Sequence, residues 1–134
     1  FIANNFKKHL IVRLPGLVGK GLKKNIIYDF KNNNEIEKIE SDNIFQFYPM
    51  KNLSKDIEIA IRNNISLIHL TAAPVSVNEV ALYAFEKKFK NNLGQKIIQY
   101  DFKTIYSELW GKYNLPYQYD KLESLYAIKE YAKL

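Results

Sequence analysis

The sequence contains no cysteine, so the chain has neither disulfide bonds nor thiolate metal ligands. This absence favours a reducing compartment. No apolar run approaches the length of a membrane span, and the N-terminus lacks the basic-then-apolar order of a signal peptide. These absences predict a soluble, cytoplasmic protein without a membrane partner.

Arginine is also scarce, because Arg13 and Arg62 are the only arginines among 20 basic residues. The net charge of +6 therefore comes almost entirely from lysine. Proteins that read bases or clamp phosphates favour the planar fork of arginine. We expect a solvated lysine-rich surface and no nucleic-acid partner.

Side chains that could perform catalysis or bind metal are few. His9 and His69, the only histidines, flank or lie within apolar runs and are expected to pack or face solvent, so no metal site is predicted. Tyr83 and Lys87 place a phenol and an ammonium one helical turn apart, which is a known catalytic spacing. A chain this rich in tyrosine and lysine gives such a match by chance, and no nucleophile lies beside a base. We predict no catalytic residue in this chain.

The residues that are present suffice for one domain, since the 134 residues are 47% hydrophobic and 14% aromatic. Apolar runs predict strands at 9–14, 45–48, 66–70 and 96–100. Helical spacing predicts helices from Asn25 and from Leu53. Two capping boxes, Ser76 with Glu79 and Asp120 with Glu123, predict a helix at about 77–88 and a C-terminal helix with Leu122, Leu125 and Tyr126 on one side. This alternation predicts an α/β fold with some parallel pairing.

Glycines interrupt the chain between the first strand and the first helix, in the run from Gly16 through Gly19 to Gly21 after Pro15. The run resembles a phosphate loop, although it matches neither Gly-x-Gly-x-x-Gly nor the Walker pattern. Two explanations stay open. The backbone either approaches a ligand at the carboxyl edge of a sheet, or it makes a tight turn that needs positive φ.

The order of four motifs is more informative than any one of them. They are Leu10-Ile-Val-Arg-Leu-Pro-Gly-Leu-Val-Gly19, Lys24-Asn25-Ile-Ile, Phe45-Gln-Phe-Tyr-Pro-Met-Lys-Asn-Leu53 and Ile68-His-Leu-Thr-Ala-Ala-Pro-Val-Ser-Val-Asn-Glu79. In this order they resemble the C-terminal half of an extended short-chain dehydrogenase, from the family of NAD-dependent epimerases and dehydratases that act on nucleotide sugars. The resemblance covers about residues 10–89 and is looser from Lys96 onward.

The resemblance implies the C-terminal part of a Rossmann-like parallel sheet joined to a small α/β substrate-binding region. Residues 1–134 would form a single substrate-side fragment, with Phe1 in the helix that follows the catalytic lysine. The dinucleotide-binding half, with its glycine loop and Tyr-x-x-x-Lys, would be absent. The complete protein would use NAD or NADP to act on a sugar or nucleotide sugar, for instance in polysaccharide biosynthesis. This chain alone would be inactive and would bind no dinucleotide.

The resemblance also assigns site residues. The cofactor-binding residues would be Pro15, Gly16 and Leu17, and the substrate-binding residues would be Gly19, Lys24, Asn25, Phe45 and Gln46, with Asn25 contacting the substrate diphosphate. Two positions depart from the family pattern. Gly16 stands where many members have a substrate-contacting asparagine, and Phe45 stands where they have a phosphate-binding arginine, whose charge Gln46 cannot replace. A divergent substrate is therefore expected as readily as a standard UDP-sugar.

Two other classes of function stay open. A lysine-rich module that binds RNA or another polyanion predicts affinity that falls steeply with salt. A protein-interaction module predicts self-association through Ile11, Val12 or neighbouring positions, which would cover an open sheet edge in a homo-oligomer.

Overall fold

The computed structural model describes residues 7–134, so the predicted helix at Phe1 lies outside the described residues. The strands are β1 (Ile11–Arg13), β2 (Gly16–Val18), β3 (Ile44–Phe45), β4 (Phe47–Pro49), β5 (Leu67–His69) and β6 (Val75–Ser76). The helices are α1 (Ile26–Asn32), α2 (Leu53–Arg62), α3 (Val77–Phe85) and α4 (Lys121–Ala132), with short 3₁₀ turns at Ile36–Lys38, Met50–Asn52 and Ser107–Trp110. The predicted α/β class is confirmed.

Short two-stranded pairings organise the strands of residues 7–134. β1 pairs with β5 and β2 pairs with β4, both in parallel, while β3 pairs with β6 in antiparallel fashion. The chain changes partner between β1 and β2 at Leu14 and Pro15, where proline has no N–H to donate to a ladder. It changes partner again at Gln46, between β3 and β4. We call these two places, where the chain passes from one strand pair to another, the crossover points. They lie next to each other, because Gly16 pairs with Phe47.

Local capping explains where the helices begin and end. Both predicted capping boxes are present, at the starts of α3 and α4. α3 ends at Phe85, earlier than predicted, because Glu86 adopts a left-handed conformation with φ of 53°. Asn25 caps α1, as described below.

The main core lies between the parallel pair β2–β4 and the helices α3 and α4. Val18, Phe47, Val80, Leu125 and Ile128 are all buried there. This packing holds α4 against β4, where the buried Ser124 hydroxyl donates a hydrogen bond to the carbonyl of Phe47 over 3.1 Å.

A second buried cluster surrounds the carboxylate of Asp56, a fully buried residue of α2. Its Oδ2 atom accepts hydrogen bonds from the hydroxyls of Tyr48 and Tyr119, and its Oδ1 atom accepts one from Trp110 Nε1 at 2.8 Å. Burial and this carboxylate hold the pKa of both tyrosines well above the ordinary value. The cluster ties α2 and β4 to the C-terminal part of the chain.

Two expectations about individual elements are wrong. Residues 96–100 form no strand, because the segment makes only a one-residue bridge, from Ile44 to Gln99, and leaves Ile97 and Ile98 half exposed. On α4, Leu122 is 67% exposed and Tyr126 is 56% exposed, so only Leu125 of the predicted apolar side is buried. The helix instead buries the face of Ser124, Leu125, Ile128 and Tyr131, since α3 and β4 pack there. No helix within residues 7–134 is long and apolar enough to cross a bilayer.

Candidate functional site

A cavity of about 650 Å³ opens at the two crossover points of the strands. Its walls come from residues 14–16, 25–26, 45–47 and 99–102. This volume lies within the range of small-molecule sites, and such sites are often found where strand order changes in α/β proteins. The cavity is therefore the candidate binding site.

The cavity brings together five of the residues predicted for the site: Pro15, Gly16, Asn25, Phe45 and Gln46. Three others do not line it, namely Leu17, Gly19 and Lys24. Gly19 packs on Met50, where an added Cβ atom would lie 3.0 Å from the Met50 Cβ atom. Lys24 is exposed to solvent. The assigned roles of all eight stay predictions.

Gly16 has a steric role that neither explanation offered by the sequence includes. A Cβ atom at this position would lie 2.5 Å from the carbonyl oxygen of Gln46 and 3.3 Å from the Phe47 ring. Glycine therefore permits β2 to approach the β3–β4 crossover. The phosphate-loop resemblance is wrong for residues 16–18, because they form a strand, and the positive φ in this run occurs at Gly21.

Asn25 joins α1 to β2 at the edge of the cavity. Its backbone has φ of 84° and ψ of 174°, a conformation that non-glycine residues rarely adopt. The side-chain Oδ1 atom accepts a hydrogen bond from the Ile27 N–H over 2.9 Å, and Nδ2 donates to the Leu17 carbonyl over 2.9 Å. The amide group is therefore occupied by the protein itself, and Leu17 contributes to the site through this bond.

Gln46 clamps three parts of the fold together and is only 2% exposed. Its Nε2 atom donates to the carbonyls of Ala72 and Phe102, over 2.9 and 2.8 Å, and lies 3.2 Å from the Thr71 hydroxyl. Its Oε1 atom accepts from the Phe102 N–H over 2.6 Å. The Nε2 and Oε1 atoms of Gln46 both bond to the protein, and the two bonds to Phe102 hold the cavity wall in place there.

The wall formed by residues 99–102 was missed by the sequence reasoning, which noted Tyr100 to Thr104 only as a loose match. Phe102 stacks on His69 with ring centroids 4.2 Å apart. The Asp101 carboxylate accepts a hydrogen bond from the Tyr117 hydroxyl and pairs with Lys103 Nζ at 3.4 Å. Burial and the bond to Asp101 raise the pKa of Tyr117 to about 12. In the sequence, the only local feature that could have indicated this wall is the acidic Asp101 between the aromatic residues Tyr100 and Phe102.

Aromatic rings dominate the interior of the cavity. The Phe45 ring lies 5.8 Å from the Tyr100 ring and 6.2 Å from the Phe47 ring, measured between centroids. A smaller cavity of about 310 Å³ shares the wall at residues 99–101 and contains the ion pair between Lys121 and Glu79. The main cavity can hold a ring with an apolar face, and hydrogen-bond acceptors lie at its rim.

Neither Tyr83 nor Lys87 lines the main cavity. Tyr83 lies on α3, away from the residues that line the main cavity, and Lys129 Nζ sits 5.2 Å from the centre of its ring. Lys87 follows the end of α3.

Comparisons with known proteins give a consistent result at the level of the fold. No protein-family model matches the sequence, and no curated protein matches it. A UDP-galactose 4-epimerase superposes with a TM-score of 0.64 at 18% identity, over 98% of this chain and 47% of that chain. The Bordetella bronchiseptica enzyme WbmG, solved with NAD, gives 0.61 at 12% identity over 91% of this chain and 42% of that chain.

A dTDP-4-dehydrorhamnose reductase from Yersinia enterocolitica gives a TM-score of 0.54 at 15% identity, over 93% of this chain and 49% of that chain. The chain thus spans less than half the length of these enzymes. At such low identity the likeness establishes the fold alone. The predicted resemblance to extended short-chain dehydrogenases is therefore confirmed for the fold, which this chain shares with part of each of these enzymes.

Proposed function

We propose that this chain is the substrate-binding portion of an NAD(P)-dependent enzyme that epimerises, dehydrates or reduces a sugar or nucleotide sugar. The observation that carries the proposal is the cavity at the strand crossover, because Pro15, Gly16, Asn25, Phe45 and Gln46 all line it. The fold likeness to a UDP-galactose 4-epimerase and to WbmG, which was solved with NAD and UDP, supports the same class. We expect the chain alone to be inactive, because no nucleophile–base pair lies among the described residues that line the cavity.

The residues present suit one end of a dinucleotide and not the whole of it. The wall of the cavity at Pro15 and Gly16 could contact one ring of the dinucleotide, but residues 16–18 form a strand and supply no phosphate-binding loop. When bound, NAD or NADP supplies the hydride acceptor. The backbone at Pro15 and Gly16, with the Phe47 ring, orients that end and excludes water from it. A separate dinucleotide-binding half would hold the pyrophosphate.

Two experiments test this function. The coding sequence upstream of Phe1 is expected to contain a glycine-rich loop after a strand and a Tyr-x-x-x-Lys helix. The complete protein is expected to interconvert nucleotide sugars in the presence of NAD or NADP. A reading frame without such a half would refute the proposal.

The place of Asn25 in the cavity wall has its own test in the complete protein. Asn25→Ala is expected to raise the Michaelis constant, because it frees the start of α1 from β2. Asn32→Ala is a matched control, since Asn32 lies on the same helix and its amide is exposed. Unchanged kinetics of Asn25→Ala would remove Asn25 from the substrate site.

Self-association is a second candidate role. In the described part of the chain β1 pairs only with β5, which leaves its other edge open, and Leu67 on β5 is 41% exposed. Sedimentation velocity over a range of concentrations is expected to show a dimer of the purified chain. A strictly monomeric chain would contradict this role.

A further inference from the structure

Charge is almost absent from the lining of the main cavity. Among residues 7–134, no lysine or arginine lines it, and Asp101 is its only formally charged residue. Lys103 pairs with Asp101 from outside the lining, so the local charge is close to balanced. A phosphate group inside the cavity would meet a carboxylate and no cation, which disfavours it.

Two of the three side-chain amides in the lining, those of Asn25 and Gln46, already bond to the protein, and the third belongs to the exposed Gln99. Asn25 uses both ends of its side chain on Ile27 and Leu17, and Gln46 uses its amide on Phe102 and Ala72. Breaking these bonds to contact a phosphate would leave buried polar groups without partners. Both N–H groups of Gln46 are therefore unavailable to an anion, and Asn25 could offer at most its second Nδ2–H, which is a neutral donor and no substitute for a cation.

The groups that remain available suit an uncharged ring. Phe45 and Tyr100 present aromatic faces, against which the C–H face of a sugar or base can pack. Asp101 lies at the rim, where its carboxylate can accept hydrogen bonds from neighbouring hydroxyls. Gln99 is exposed beside it.

We propose that the part of the substrate that enters this cavity, beside the end of the dinucleotide, is an uncharged, hydroxylated ring, and that no phosphate of the substrate enters it. The inference rests on the proposed function for its choice of ligands. It narrows the proposed substrates to those whose phosphates, if any, lie outside the cavity. The hydroxylated ring could be the ribose of a nucleoside or a free pyranose. Uridine and methyl β-D-galactopyranoside distinguish these two sources.

The first test titrates the chain with uridine, methyl β-D-galactopyranoside and UDP, followed by amide chemical shifts of Gly16, Gln46 and Asp101. At least one uncharged ligand is expected to shift these resonances. UDP is expected to bind within about threefold of uridine, with little dependence on salt, because no cation contacts the phosphates. UDP binding tenfold or more tighter than uridine would overturn the inference, and so would the absence of shifts with both uncharged ligands.

Two substitutions sharpen the test. Asp101→Asn is expected to weaken the uncharged ligand about fivefold to tenfold, since a hydrogen bond to a charged acceptor is lost. Asp42→Asn is the matched control, because Asp42 is exposed and does not line the cavity. An unchanged affinity of Asp101→Asn would remove Asp101 from the site.

Phe45→Arg is a gain-of-function variant and so cannot be explained by misfolding. It places a cation in the lining and is expected to raise the ratio of UDP affinity to uridine affinity by about tenfold or more, in a salt-dependent manner. An unchanged ratio in a folded variant would show that charge in the lining does not control phosphate binding, which would overturn the inference. These binding ratios are measured on this chain, so they stand even if the upstream sequence refutes the proposed enzyme.

Discussion

Replacing Asp56 with alanine removes the acceptor at the centre of the second buried cluster. The buried hydroxyls of Tyr48 and Tyr119 and the indole N–H of the partly buried Trp110 then lose this acceptor. A buried donor left without an acceptor costs about 1–3 kcal/mol. The three lost hydrogen bonds belong to one cluster, so their costs are not additive. We expect the free energy of unfolding to fall by about 4 kcal/mol. That is a large share of the roughly 5–15 kcal/mol typical of a domain.

Urea unfolding followed by circular dichroism measures this loss. Trp110 is the only tryptophan and donates directly to Asp56, so its fluorescence reports on the same cluster. Asp42→Ala, at an exposed position, is the control and should change stability by less than about 0.5 kcal/mol. Tyr119→Phe should cost about 1–2 kcal/mol, because one donor leaves together with its bond. If Asp56→Ala cost no more than Asp42→Ala, the reasoning about the buried network would be refuted.

Three further predictions concern the cavity wall. Gln46→Glu places a carboxylate against the Ala72 carbonyl, so we expect the free energy of unfolding to fall by about 2–4 kcal/mol. We also expect faster hydrogen exchange at the amides of residues 99–104. Unchanged protection of those amides would contradict the role of Gln46 in holding the cavity wall. Gly16→Ala brings a Cβ atom 2.5 Å from a backbone carbonyl and should cost about 1–3 kcal/mol in urea unfolding, whereas unchanged stability would contradict the steric role. The pKa of Tyr117 rises from 10.0 to about 12 in the folded chain, so its contribution to stability is complete below pH 10.0 and is lost as pH rises towards about 12. Tyr117→Phe should therefore reduce the fall in unfolding free energy across that interval, and an unaltered fall would show that Tyr117 does not contribute.

Features set by neighbouring residues could be predicted from the sequence. The capping boxes of Ser76 and Asp120, and the helix start at Asn25, involve residues within three positions of each other, and the structure contains all of them. The strands near 11–13 and 67–69 also follow from local apolar runs.

Features set by distant residues could not be predicted. Whether residues 16–18 form a loop or a strand depends on β4, which lies about thirty residues later and covers Gly16. The role of Gln46 depends on Phe102, at a sequence separation of 56 residues. The resemblance in residue order named five residues that line the cavity, but only the folded contacts show that the Gln46 amide already bonds to the protein.

The walls of the main cavity come from four segments that span residues 14–102 of the chain. No single helix or strand pair contains enough of them to hold a ligand, so the binding-competent state and the globally folded state are the same state. A ligand of this cavity therefore stabilises the whole fold by mass action, by about 2.7 kcal/mol at a free concentration one hundred times its dissociation constant. The melting temperature of the chain therefore rises with the concentration of such a ligand, so binding can be followed without an activity assay.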